Sequence, residues 1–210
     1  MTAGPLSQPF AYGGVVNAGL LALLGPMTGN VLGVGAWADA LREAGAERLT
    51  GIEPAQAAAA DACTRYDAMI REPIEQLAPA TFGGQAFSHV LAADVLEHLA
   101  NPWAALEALH AWALDGATLV CRSPTLATTA FRWACSSGGG SATAVRASWT
   151  GRTCAGLRHA CLDRALRKTG WEPERWRWAT AGRSAVVGRA TLGVSDPFLA
   201  GQIQVVARRV

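Results

Sequence analysis

"VLGVGAWADALREAGAERLTGIEP", residues 31–54, is the stretch on which the fold turns. Val31, Leu32 and Val34 suit a buried strand, and Gly33 and Gly35 follow them at strand-turn spacing. Ala36–Ala44 then repeats apolar residues at helical spacing and stops at Gly45, a residue that ends helices in the left-handed conformation. Leu49–Ile52 reads as a second strand, with the acidic Glu53 at its tip. Strand, short helix and strand with an acid at the end is the plan of a nucleotide-binding βαβ unit. Trp37 and Asp39, however, stand where such units place further glycine.

Outward from this unit the alternation continues. Pro54 suits the first turn of an Ala-rich helix that runs to Cys63, and Ala68–Ile70 is a brief strand. Phe87–Ala92 and Ala117–Cys121 read as strands, separated by an amphipathic helix over Pro102–Ala113 and the Asp115-Gly116 turn. Upstream, Val15–Leu24 reads as an apolar helix stopped by Gly25-Pro26. Downstream, Ser136–Ser141 (SSGGGS) reads as a loop and Leu157–Thr169 as a basic helix ended by Gly170. Ile203–Ala207 is a last strand, able to pair antiparallel at the end of the sheet. Strands alternating with helices predict an α/β, three-layer fold around a mostly parallel sheet.

Bulk composition narrows the class. The chain has 210 residues, 50% hydrophobic and 16% charged, which excludes a disordered chain and suits one sizeable domain. The net charge of +2 hides an asymmetry: residues 1–115 carry 12 acidic and 4 basic side chains, residues 116–210 carry 4 acidic and 14 basic. Seventeen of the 18 basic residues are Arg, Lys168 being the exception. Such an Arg-rich half pairs most simply with the acidic half, and it also suits an anionic substrate through bidentate contacts. Cys63, Cys121, Cys135, Cys154 and Cys161 are odd in number and include no C-x-x-C, so neither a zinc site nor a disulfide scaffold is expected. No charge precedes Asp39, but prolines and asparagines break that run short of a membrane span. A soluble, cytoplasmic protein without a membrane or nucleic-acid partner is expected.

With "FSHVLAADVLEHLANPWAALEALHAWALDGATLV" (residues 87–120) added to the βαβ unit, the chain resembles the class I S-adenosylmethionine-dependent methyltransferases. The likeness is to the small bacterial group whose fourth strand runs into A-D-V-L-E-H-L, and it extends from about Tyr12 to Val206. "GWEPE" (residues 170–174) matches the start of that family's sixth strand, and "FLAGQIQVVARR" (residues 198–209) its last. The resemblance implies a Rossmann-like, seven-stranded sheet with an antiparallel C-terminal strand. It also implies one domain, made of an N-terminal helical segment (1–29), a cofactor-binding half (30–122) and an acceptor-side half (123–210).

It implies, too, S-adenosylmethionine as the cofactor and a small-molecule acceptor such as a sugar or a secondary-metabolite intermediate. Gly33, Gly35, Trp37, Glu53, Ile74, Ala93 and Asp94 fall on the family's cofactor-binding positions. Glu53 would accept the ribose hydroxyls. His98, in Asp94-x-x-Glu97-His98, would be the general base, while the bland alternative is that Glu97 and His98 only cap and pack the turn. Some relatives hold a divalent metal with a Glu-His pair; here no metal is expected.

The chain also departs from the family. The D-x-G-x-G-x-G turn is cut short, with Gly33 at the acidic position and roughly four residues fewer between Gly35 and Glu53. Pro73 replaces the Asp of G-D-I-E, and H-L-R-F-F-T survives only as Gly156-Leu157-Arg158-His159. These losses predict that Trp37 fills space which the methionine end of the cofactor would occupy. A domain of the same fold with impaired donor binding, serving as a partner subunit or catalysing another reaction, is the alternative.

Overall fold

The computed structural model describes residues 20, 23, 25–35, 37–83, 86–124, 154–179 and 202–210. Seven strands form one sheet: β1 (Asn30–Val34), β2 (Arg48–Ile52), β3 (Ala68–Ile70), β4 (Phe87–Ala93), β5 (Ala113–Pro124), β6 (Trp171–Ala179) and β7 (Gln202–Arg209). Their order is β3-β2-β1-β4-β5-β7-β6, and β7 alone runs against its neighbours. The chain reverses direction across the sheet between β1 and β4, which makes a switch point at the carboxyl ends of those strands.

Alternation along the strands builds two apolar layers. Val31, Leu91, Val120 and Val206 face α1 (Ala38–Glu43), together with Leu41, Tyr66, Leu20 and Leu23. Leu32, Val90, Leu119 and Val205 pack on the other face with Leu106 and Leu109 of α3 (Pro102–Trp112) and Leu166 of α4 (Cys154–Lys168). The remaining helix, α2 (Gln56–Ala62), follows β2. With helices on both faces the central strands are apolar throughout rather than every second residue. Where indoles are buried, their N–H groups find partners: Trp112 Nε1 donates to Pro79 O at 3.0 Å and Trp171 Nε1 to Leu106 O at 3.1 Å. Asn101 caps α3, its Oδ1 accepting from Ala104 N, and Pro102 opens the helix.

Three local readings are corrected. The first helix starts at Ala38, because Trp37 is outside helical geometry and its N–H is held by the Tyr66 hydroxyl at 3.0 Å. The fifth strand begins at Ala113, and the Asp115-Gly116 pair forms an irregularity within it, with Gly116 at φ +74°. The last strand does not close the edge of the sheet. It is inserted between β5 and β6, where both of its faces are buried. Most of Val15–Leu24 and all of Ser136–Ser141 lie outside the described residues.

Candidate functional site

The tips of four neighbouring strands bring the polar groups together. Register places Val34 beside Ile52 and Ala92, and Ala93 beside Arg122, so Glu53, Gly35, Asp94 and Arg122 follow one another across β2, β1, β4 and β5. Gly35 N donates to Ile52 O at 3.0 Å, and Asp94 N to Arg122 O at 2.8 Å, which continues the ladder past the strand ends.

At the β2 end, Glu53 is only 5% exposed, and its Oε1 accepts from Ala55 N at 2.9 Å. A carboxylate this buried at a strand tip has been given up by water without a cationic partner among the described residues. That suits it to hydroxyl donors of a ligand.

At the β1 end, Gly35 has φ +94°, and a Cβ there would meet Trp37 Nε1 at 3.4 Å. The indole lies against Gly35. Tyr66 clamps the turn, donating to Gly35 O at 2.8 Å while accepting from Trp37 N. Burial pushes the Tyr66 phenol up to about 12, so it remains a neutral donor. Gly33 lies within the strand, where a Cβ would meet Leu41 at 3.0 Å and the Tyr66 hydroxyl at 3.1 Å. Its missing side chain makes room for α1 packing.

At the β4 and β5 ends, Asp94 takes the left-handed conformation at φ +55°, and its Oδ2 is ion-paired with Arg122 Nη2. The Arg122 guanidinium also lies over the Trp37 ring, 4.9 Å from its centroid. Among the described residues, Arg122 Nε is buried without a hydrogen-bond partner, and so is Glu97 Oε2 in the 3-10 turn Leu96–His98. Burial, helped by the Asp94 charge, pushes the Glu97 carboxyl up to about 7, against the lowering effects of its own backbone N–H, Arg122 and Ser123.

His98 is exposed, and its N–H closes the turn on Val95 O at 2.9 Å. Ile74 is buried in a 3-10 turn that Pro73 caps, and Glu75 of that turn reaches Ala100 N at 3.1 Å; Glu72 is exposed. Ala93 is buried at the end of β4. Sequence reasoning missed Arg122, Tyr66 and the inward carboxyl of Glu97. Only strand register joins Arg122 to Asp94, 28 positions earlier, although a charged residue in the apolar run of β5 was a visible signal.

On the acceptor side, the His159 ring lies 4.0 Å from Trp176 and 5.6 Å from Trp178, centroid to centroid. The side chains of Leu157 and Arg158 lie outside the described residues. Among the described residues, no group of three or more His, Cys, Asp or Glu side chains could hold a metal ion, and no helix is long and apolar enough to cross a membrane.

A switch-point crevice rimmed by these strand tips defines the Rossmann-like methyltransferase class of α/β fold. The model of a methyltransferase-domain family matches residues 32–174, and the chain belongs to that family. No curated protein matches the sequence.

Solved structures share the fold. The N-methyltransferase NodS from Bradyrhizobium japonicum WM9, in complex with S-adenosyl-L-homocysteine, is 17% identical with a TM-score of 0.56, over 86% of this chain and 78% of that one. An S-adenosylmethionine-dependent methyltransferase from Mesorhizobium loti is 14% identical with a TM-score of 0.63, over 91% and 96%. The [4+2]-cyclase SpnF is 20% identical with a TM-score of 0.57, over 91% and 78%.

Proposed function

We propose that this chain is an S-adenosylmethionine-dependent methyltransferase acting on a small-molecule acceptor, a sugar or secondary-metabolite intermediate. The observation that carries the reading is the Glu53 carboxylate, buried at the tip of β2 beside the Gly35 turn at the switch point. The cofactor, when bound, supplies a sulfonium-activated methyl group. Glu53 holds the ribose hydroxyls, and Ala93, Asp94 and the Gly35 turn border the rest of the donor's place. Glu97 takes the acceptor's proton: its Oε2 is buried with no hydrogen-bond partner among the described residues, and a carboxyl near neutrality suits a general base. That role falls to Glu97 rather than to the exposed His98.

Thermal shift and calorimetric titration with S-adenosylmethionine and S-adenosylhomocysteine test the reading. Both ligands are expected to raise the melting temperature, since a ligand that binds the folded state stabilises it. The absence of both heat and shift would refute donor binding.

A second reading, a non-methylating domain in the same cavity, is favoured by the indole packed on Gly35 and by the fold shared with a [4+2]-cyclase. The Trp37→Gly variant separates the two. If Trp37 is the wall on which Arg122 rests, S-adenosylhomocysteine binding weakens several-fold. If the ring fills the donor's place, binding tightens.

A further inference from the structure

Three aromatic side chains away from the strand-tip cluster have capacity that the fold does not use. The His159 ring of α4 lies 4.0 Å from Trp176 and 5.6 Å from Trp178, and its plane is inclined only 29° to that of Trp178. Trp176 packs on the apolar layer beneath α3 and α4, and alternation along β6 turns Trp178 to the same face. All three residues are partly exposed, yet His159 Nε2 is buried with no hydrogen-bond partner among the described residues. Leaving a buried ring nitrogen unpaired destabilises the fold, and a ligand hydroxyl would relieve it. Burial, against the pull of Asp163, holds the imidazole below the ordinary histidine range, so at neutral pH the ring is uncharged.

Strand register connects this group to the proposed base. Trp178 pairs with Ile203 of β7, and Ile203 pairs with Ser123 of β5. Ser123 hydrogen-bonds the Glu97 carboxyl, whose charge also reaches Cys121, two positions earlier on the same face. The row from Ser123 through Ile203 to Trp178 crosses two inter-strand spacings, roughly 10 Å. A flat molecule laid along it has one end at Glu97 and the other on the indole.

We infer that His159, Trp176 and Trp178 form the acceptor's binding surface and select a planar aromatic acceptor bearing hydroxyl groups. Its ring stacks on Trp178, one hydroxyl meets His159 Nε2, and the hydroxyl that receives the methyl group faces Glu97. The inference rests on the methyl-transfer reading and names its substrate class. A sugar carries a hydroxyl on nearly every carbon, whereas this surface offers ring faces and, among the described residues, one unpartnered nitrogen. Most of a sugar's hydroxyls would be desolvated there without a partner. Offset stacking on an indole together with a single hydrogen bond uses what the surface provides.

The test is calorimetry on the full chain with three probes: a dihydroxynaphthalene with its hydroxyls on opposite rings, its fully saturated decahydro analogue, and glucose. Wild type is expected to bind the aromatic diol about tenfold more tightly than the saturated one, and glucose no better than the latter. Trp178→Leu abolishes that preference. His159→Phe, which keeps a ring but loses the nitrogen, weakens the aromatic diol several-fold. S-adenosylhomocysteine binds wild type and both variants alike and does not displace the diol. Equal binding of the two diols, tighter binding of glucose, or displacement of the diol by S-adenosylhomocysteine would overturn the inference and leave donor binding standing. Unchanged diol affinity in both variants would overturn it as well. If S-adenosylhomocysteine fails to bind, the methyl-transfer reading falls, while a preference that still depends on Trp178 upholds the aromatic surface by itself. Should either variant fail to fold, the wild-type series and the displacement experiment still decide.

Discussion

Glu97 and His98 are adjacent, yet one is turned inward and the other lies in water. Two predictions follow from the acids of the rim. For Glu97, the folded carboxyl titrates near 7 against an ordinary 4.5. The folded state therefore binds the proton more tightly, and stability present below about pH 4.5 is lost as pH rises through 7. Glu97→Gln mimics the protonated form and escapes that loss. Its melting temperature relative to wild type should rise between pH 5 and pH 8, by at most about 3 kcal/mol in stability. A difference that stays flat with pH would refute the inward, raised carboxyl. For Glu53, replacement by Gln keeps an oxygen for Ala55 N, so stability should change by less than about 1 kcal/mol. Affinity for S-adenosylhomocysteine should nevertheless fall roughly 10- to 100-fold, measured by calorimetry, since one hydroxyl acceptor is lost. Glu53 was legible because an acid at the end of a second strand is a local pattern. The division between Glu97 and His98 was not, because a one-residue choice of direction within a 3-10 turn depends on what packs around it.

The elements themselves were largely readable, since alternating apolar strands and short helices each carry their own period. β1 falls on Asn30–Val34 as its apolar run indicates, and the Trp37 indole rests against Gly35 in the turn that follows. What holds that turn was hidden: Tyr66 comes from beyond α2, 31 positions from Gly35. Tyr66→Phe should loosen the turn and cost about 1–2 kcal/mol, since Gly35 O loses its hydroxyl donor while Trp37 N keeps a longer contact with Gly35 O at 3.2 Å. Thermal melting checks this; an unchanged melting temperature would show that the clamp contributes nothing. β6 contains a similar hidden device. Trp171 and Trp176 are an odd five positions apart, yet both pack on the α3–α4 face. The register shift between Pro173 and Arg175 absorbs the extra residue, Glu174, and restores the shared face. A period of two explains Trp176, Trp178 and the intervening Arg177, but not the bulge.

At the scale of the molecule, the split between an acidic and a basic half becomes only partly an internal pairing. Arg122–Asp94 and Arg209–Asp115 cross between the halves, whereas Arg42–Asp67, Arg65–Asp39, Arg167–Glu172 and Arg208–Glu174 stay within one. Most of these pairs are exposed, and exposed pairs add little to stability. The long-range architecture depends instead on where β7 goes. Sequence pattern could identify the strand but not its place, since an apolar run has no mark that distinguishes the edge of a sheet from its interior. Insertion between β5 and β6 means that residues 202–209 supply backbone partners to both neighbours and place Val205 and Val206 in opposite apolar layers. Removing residues 202–210 should therefore do more than fray one end. β6 would lose the strand it pairs with among the described residues, and Leu119, Val120 and Cys121 of β5 would keep β4 on one side but lose Ala207, Val206 and Val205 on the other. The expected result for the shortened chain is loss of a cooperative thermal transition by circular dichroism, with Trp fluorescence shifted toward that of indole in water. A truncated chain that melts cooperatively within a few degrees of wild type would show that the β1–β5 sheet is self-sufficient, and that the C-terminal strand is an addition to the fold rather than part of its core.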